Sequence, residues 1–230
     1  MTTTARDGFR RARRPAEKQS RRNDILRATA RLVACSDLHE LSLNGIAREA
    51  GLSKPNLYRY FASREDILLR LFLDDLADLA GAFVDELGRL VPPAGSAAVG
   101  TILANIYAAR PRLCRFLGIL PDVLEQNVPT AILTEAKRAV LRDAETATRA
   151  LHRVLPDVSF EKCGWLNNTV AMLAAGLWPA ANPAAGTVAI LKQAEFASLR
   201  VDFAQNLKQA VDMLVSGLRA TSGMDALRKA

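Results

Sequence analysis

The segment LSLNGIAREAGLSKPNLYRYFASREDIL, Leu41 to Leu68, reads as a short helix, a turn built on a glycine, and a second short helix. Ser42 stands where an N-cap oxygen is wanted, and Gly51 where a helix ends in a left-handed residue. Ser53 stands at the next cap. Pro55 falls in the first turn after it, where a missing N–H is harmless. Ala47 is small where the two helices must cross closely. Ile46, Leu52, Leu57 and Phe61 supply a small apolar core. Ser63 opens a further helix, with Glu65 and Asp66 in the first turn, where the helix dipole favours acidic groups. This is the pattern of a helix-turn-helix.

At about 100° per residue, Leu57 and Phe61 face inward, and Pro55, Asn56, Tyr58 and Arg59 spread over the other side. Such a face can enter a DNA groove. Asn favours adenine and Arg favours guanine when reading base edges. Tyr58 can give its hydroxyl to a phosphate. Lys54, at the helix start, adds a phosphate contact beside free backbone N–H groups. Ser42, Asn44 and Arg48 on the first short helix are placed to clamp the flanking backbone, and Arg64 to hold a further phosphate.

Upstream, Ile25, Ala28, Thr29, Leu32 and Val33 recur on one face and predict a helix from Glu17 to Cys35. Residues 1–16 are expected to form a flexible basic arm. Residues 1–31 hold nine Arg and one Lys against Asp7, Glu17 and Asp24, whereas the rest of the chain carries 21 basic and 21 acidic residues. The whole +7 excess therefore sits at the N-terminus. A localised basic stretch attracts polyanions through counterion release, whatever their sequence.

Downstream, a helix from Ser63 to about Leu90 is apolar on several faces, through Ile67, Leu71, Phe72, Leu79, Phe83 and Leu87. A helix of that kind packs on two neighbours. Further helices are predicted over 97–109, 111–120, 129–155, 159–178, 185–195 and 198–219, separated by proline and glycine breakers. No alternating strand pattern is present, so the expected fold class is all-α. It comprises a three-helix DNA-binding domain over 17–64 and a larger helical regulatory and dimerisation domain over 65–230.

The remaining chemistry is sparse. Cys35, Cys114 and Cys163 are far apart, and His39 and His152 have no partners at ligand spacing, so neither a metal nor another cofactor is expected. An odd cysteine count without a secretory signal points to a reducing cytoplasm. No apolar run is long enough to span a membrane. No glycine-rich phosphate loop and no nucleophile elbow is present, so an enzyme is not expected.

The residues Ile25-Leu26-x-x-Thr29-x-x-Leu32, Ile46-Ala47-x-x-Ala50-Gly51-Leu52-Ser53, Leu57-Tyr58-x-Tyr60-Phe61 and Ser63-Arg64-Glu65-x-Ile67-Leu68 closely resemble the tetracycline-repressor (TetR) family. The resemblance covers about residues 17–75. The family often carries a small residue where Pro55 stands and Lys where Arg64 stands. The resemblance implies DNA contacts at Ser42, Leu43, Asn44, Lys54, Pro55, Asn56, Tyr58, Arg59, Tyr60 and Arg64, of which Leu43 and Tyr60 rest on the family pattern alone. It also implies a homodimer, double-stranded operator DNA as partner, and a C-terminal pocket for a small effector. The family most often represses transcription, and effector binding moves the fourth helix.

Stripes at Leu166, Val170, Leu173 and Leu177, and at Phe203, Leu207, Leu214 and Leu218, suit helix packing; they either close the chain's own core or, as the resemblance implies and as is expected here, form a four-helix dimer interface. Phe72, Tyr107, Phe116, Leu120, Asn127, Trp165, Asn168, Met172 and Trp178 are the pocket candidates, and their character suits a largely apolar ligand. The alternatives are a regulator of the same fold acting without an effector or as an activator, and, more remotely, a helical module or enzyme that does not bind DNA.

Overall fold

The computed structural model describes residues 4–35, 38, 40–119 and 127–229, with side chains from residue 16 to residue 221. The described residues form helices and connecting turns, with no strand among them. In chain order these are α1 (Thr4–Cys35), α2 (Leu43–Glu49), α3 (Lys54–Leu57), α4 (Arg64–Gly88), α5 (Ser96–Ala108) and α6 (Pro111–Ile119). They continue as α7 (Thr130–Val154), α8 (Phe160–Ala181), α9 (Ala185–Leu191), a 3-10 helix (Ala194–Leu199) and α10 (Phe203–Lys229). The all-α expectation holds. Two boundaries move. The first helix starts at Thr4 rather than Glu17, so the backbone expected as an arm continues α1. Its Arg and Ala residues are strong helix formers, which favours that continuation. α8 runs through Pro179, where a break was expected. Its end is held by Asn182, whose backbone N–H and side-chain amide both donate to the Trp178 carbonyl, at 2.9 and 3.0 Å.

The chain forms two compact units. The first comprises Met1–Leu71 with Pro121–Thr134, and the second Phe72–Leu120 with Glu135–Ala230. The first unit therefore extends beyond the expected boundary at residue 64. The reason is burial, since Ile67 and Leu68 in the first turn of α4 are fully enclosed. They join Ile25, Val33, Ile46, Leu57 and Phe61 in a small core. α1 and the two short helices α2 and α3 leave apolar surface that the start of α4 covers.

The second unit has the larger core, built from residues such as Phe72, Phe83, Val99, Leu103, Tyr107, Phe116, Leu151, Leu166, Val170 and Leu207. α5 and α10 cross at backbone distance. A Cβ on Gly100 would lie 2.7 Å from the Lys208 carbonyl oxygen, so only glycine fits that crossing. Arg219 on α10 ties the loop regions together, donating to the Asp157 carboxylate at 2.6 Å and to the Ala94 carbonyl at 2.8 Å. That guanidinium also holds the Asp157 carboxyl below its ordinary range. The corner between α5 and α6 is gripped to the second unit's part of α4. Arg110 pairs with Asp78 at 2.8 Å, and Arg112 makes a two-pronged contact with Asp75.

Candidate nucleic-acid interface and regulatory core

The helix-turn-helix is set by its caps. Ser42 Oγ accepts from the Gly45 N–H at 3.0 Å and opens α2. At its other end the Gly51 N–H donates to the Arg48 carbonyl and the Leu52 N–H to the Ala47 carbonyl, at 3.1 and 2.9 Å. This paired closure needs a left-handed residue, and Gly51 has φ of +65°. Ser53 occupies the cap of α3 as expected, but its side chain makes no capping bond. α3 itself is shorter than expected: it ends at Leu57, and the chain turns on through Tyr60. Ser63 Oγ accepts from the Asp66 N–H at 3.1 Å, and Asp66 accepts from the Ala62 N–H at 2.8 Å, which fixes the start of α4.

These caps leave Lys54, Pro55, Asn56, Tyr58 and Arg59 exposed on one side, while Leu57 and Phe61 are buried on the other. Asn44, Arg48 and the edge of Ser42 are also exposed, and Leu43 is half-buried. Two residues have roles the sequence did not suggest. Arg64 was expected to hold a phosphate. In the free chain its guanidinium donates to the Leu41 carbonyl at 2.9 Å and pairs with Glu65 at 2.8 Å, so it anchors the chain just before the Ser42 cap. Arg22 escaped notice because it lies 38 residues from its partner. It donates to the Tyr60 carbonyl at 2.6 Å and lies over the Phe61 ring, 4.4 Å from its centroid. Half-buried Tyr60 is thus a fixed end of the recognition turn. A polar groove beside it is lined by Lys18, Arg21, Asp24, Arg59 and Tyr60.

The pocket candidates divide. Phe72, Tyr107 and Phe116 are enclosed in the second unit. Trp178 is half-buried and meets Phe203 edge-on, with ring centroids 5.1 Å apart. Trp165, Asn168 and Met172 do not join them. The buried side of α8 runs through Cys163, Leu166, Val170 and Ala174, so Trp165 and Met172 face the other way, 52% and 59% exposed. Asn127 is exposed and belongs to the first unit, and Leu120 lies outside the described residues.

The residues of the expected interface stripe divide by burial. Leu166, Val170, Phe203 and Leu207 close the chain's own core and have no surface to offer a second chain. Leu173, Leu177, Leu214 and Leu218 are half-buried. α8 and α10 pack on each other. The large apolar side chains these two helices leave exposed are Phe160, Trp165, Met172 and Met213, the last 64% exposed. Spacing alone could not separate the two sides, because both helices carry apolar residues around most of their circumference.

Reactive chemistry is muted. Burial pushes the Cys114 thiol up to about 12 and, with Asp157 adding, the Cys163 thiol to about 11, so neither is a thiolate at neutral pH. His152 Nδ1 lies 2.9 Å from the Val158 carbonyl and its ring meets Phe160, a satisfied packing role. His39 lies outside the described residues. Among the described residues no three metal-ligating side chains gather, and no helix is long and apolar enough to cross a membrane.

Comparison with known proteins agrees with this anatomy. Residues 25–71 match the family described as bacterial regulatory proteins, tetR family, and residues 73–222 match the tetracyclin repressor-like C-terminal domain. The HTH-type transcriptional regulator EthR of Mycolicibacterium smegmatis is 31% identical over 120 residues, which are 50% of this chain and 55% of EthR. The fatty acid metabolism regulator protein of Bacillus subtilis is 28% identical over 71 residues, which are 31% of this chain and 34% of that protein. The matches thus span about half, or less, of these relatives' length. The fold is also that of the TetR family repressor AlkX from Dietzia sp., implicated in biodegradation of n-alkanes, with a TM-score of 0.53 at 20% identity over 86% of this chain and 95% of AlkX. The matching families are transcription regulators rather than enzymes. With both its helix-turn-helix and its C-terminal domain matched, the chain belongs to the tetracycline-repressor (TetR) family of DNA-binding transcription regulators.

Proposed function

We propose that the protein is a homodimeric repressor, released from its operator by a small, largely apolar effector. The observation that carries this reading is that Trp165 and Met172, seven positions apart on one side of α8, are exposed, as is Met213 on α10, the helix packed beside it. Exposed apolar surface, where it is contiguous, marks an interaction site. A helix-turn-helix regulator needs two recognition elements, about 34–36 Å apart, to meet successive major grooves. On this reading α8 and α10 of two copies supply that spacing, and Lys54, Pro55, Asn56, Tyr58 and Arg59 of each copy enter the DNA. The protein then works on chromosomal DNA in the bacterial cytoplasm.

Control by an effector is supported by the continuity of α4. Its first turns belong to the DNA-binding unit and the rest to the second unit, where Asp75 and Asp78 are gripped by Arg112 and Arg110. A ligand that displaces close-packed side chains there moves neighbours rather than compressing them. To carry the protein from nearly all bound to nearly all released, it must prefer the non-binding form by about 10⁴-fold. Linkage then requires operator DNA to weaken the ligand by the same factor. The test is a calorimetric titration of a ligand found by screening, into free protein and into its complex with the DNA flanking its own gene. Weaker binding to the complex is expected. Equal affinities would sink effector-controlled release and leave constitutive binding.

The basic N-terminal stretch serves this reading as a phosphate-binding element. Deleting residues 1–14 removes Arg6, Arg10, Arg11, Arg13 and Arg14. The expected result is a folded protein with a raised Kd. The slope of log K against log salt becomes shallower by about 0.9 for each phosphate that the shortened protein no longer neutralises. An unchanged slope would show that the stretch touches no phosphate.

A further inference from the structure

The hydroxyl of Tyr107 is a buried polar group with no hydrogen-bond partner among the described residues. Tyr107 stands in the last turn of α5 and is fully enclosed. Its ring meets Phe83 edge-on, with centroids 6.3 Å apart. Leaving a hydroxyl unpaired in an apolar interior lowers stability. A phenylalanine would fill almost the same volume without that cost, as Phe72, Phe83 and Phe116 do in the same unit. The hydroxyl is therefore a donor left for an acceptor that reaches it.

The charges nearby narrow what that acceptor is. Burial first, and Cys114 second, both hold the phenol in its neutral form, whereas a cation beside it would act the other way. Arg110 and Arg112 follow closely in sequence, but their guanidinium groups are turned to Asp78 and Asp75. An anionic head group brought to Tyr107 would exchange its water shell for one neutral donor, a poor exchange in an apolar core. An ester, amide or ketone oxygen meets the same donor without that loss.

We infer that Tyr107 Oη donates the orienting hydrogen bond to an uncharged, mostly apolar effector that carries a carbonyl-type oxygen. This rests on the effector-controlled reading above and names the ligand class for it. The position suits a switch. The Tyr107 carbonyl accepts from the Arg110 N–H at 2.9 Å and from Cys114 Sγ at 3.5 Å, so the residue is built into the corner between α5 and α6. That corner grips α4 through Asp75 and Asp78. The ring is enclosed, so a ligand must push it or its neighbours aside, and the corner moves with it.

The test uses the full chain with tyrosine labelled with carbon-13 at Cζ. Three signals arise, from Tyr58, Tyr60 and Tyr107, and the Tyr107→Phe variant identifies the third by its loss. The probes are methyl decanoate, decane and decanoate, which share a chain and differ in the acceptor and its charge. Methyl decanoate is expected to move the Tyr107 signal, with little movement from the other two. Tyr107→Phe should bind the ester up to about tenfold more weakly, the worth of one neutral hydrogen bond. Without ligand it should unfold at a higher denaturant concentration than the parent, because the stranded hydroxyl is gone. The inference is overturned if the ester leaves the signal in place, if Tyr107→Phe binds the ester as tightly as the parent, or if the ligand-free variant is less stable. A larger response to decanoate would overturn the uncharged class. Binding at Tyr107 with no change in affinity for the DNA flanking its own gene would support the site and sink effector control instead.

Discussion

Replacing Met172 with Glu is expected to turn the protein into a monomer and to weaken binding to a two-half-site operator by about 10²–10⁴-fold, the advantage that joining two binding modules confers. Met172 is exposed in the single chain, so the substitution leaves the protomer's core untouched. In a two-fold interface the same patch is used by both copies, so each change is made twice. Two carboxylates would then face an apolar contact with no partner, which close packing of the dimer cannot tolerate. Trp165→Glu should act alike, since Trp165 lies seven positions earlier on the same side of α8. Sedimentation equilibrium gives the assembly state, circular dichroism checks that the helices persist, and gel shifts compare one half-site with two. A variant that remains a dimer with full operator affinity would remove α8 from the interface.

Arg59→Ala is expected to cost about 1–3 kcal/mol on the preferred sequence and to flatten base preference at one position in each half-site. Arg59 is exposed beyond the end of α3, on the side opposite Leu57 and Phe61. Arg22 holds the Tyr60 carbonyl and packs over Phe61, so the turn that carries Arg59 is fixed before DNA arrives. Lys54→Ala provides the contrast. Lys54 at the helix start is proposed to contact phosphate rather than a base, so its loss should weaken all sequences alike and make the salt dependence shallower. Binding-site selection on randomised DNA measures both. An Arg59→Ala profile identical to the parent's would mean that this residue reads no base, and that Asn56 or Tyr58 carries the discrimination.

The helix-turn-helix was legible because its determinants are local. Ser42 caps from its own position, Gly51 takes φ of +65° because the closure of α2 asks for it, and Leu57 and Phe61 turn inward by helical period. Each depends on residues within about one turn, so the order of residues carries it. The exposed face of Lys54, Asn56, Tyr58 and Arg59 follows from the same period. The extent of α1 was less legible. Residues 1–16 read as an arm, yet the helix begins at Thr4.

What the order of residues could not carry was the choice between equivalent sides. α8 has Leu166 and Val170 on one side and Trp165 and Met172 on the other, and both sets are apolar at helical spacing. Which set becomes core depends on where α10 lies, and that is decided by long-range packing such as the backbone-close crossing of Gly100 and Lys208. The same holds for the contact of Arg64 with the Leu41 carbonyl, 23 residues away, which no local pattern announces. The stranded hydroxyl of Tyr107 is also a tertiary fact, since a tyrosine shows its missing partner only once its neighbours are in place. Local sequence alone determined the DNA-reading element and the all-α class, because caps and periodicity act over a few residues. Tertiary structure alone decided which apolar face is core and which is surface, because burial is settled by partners distant in the chain.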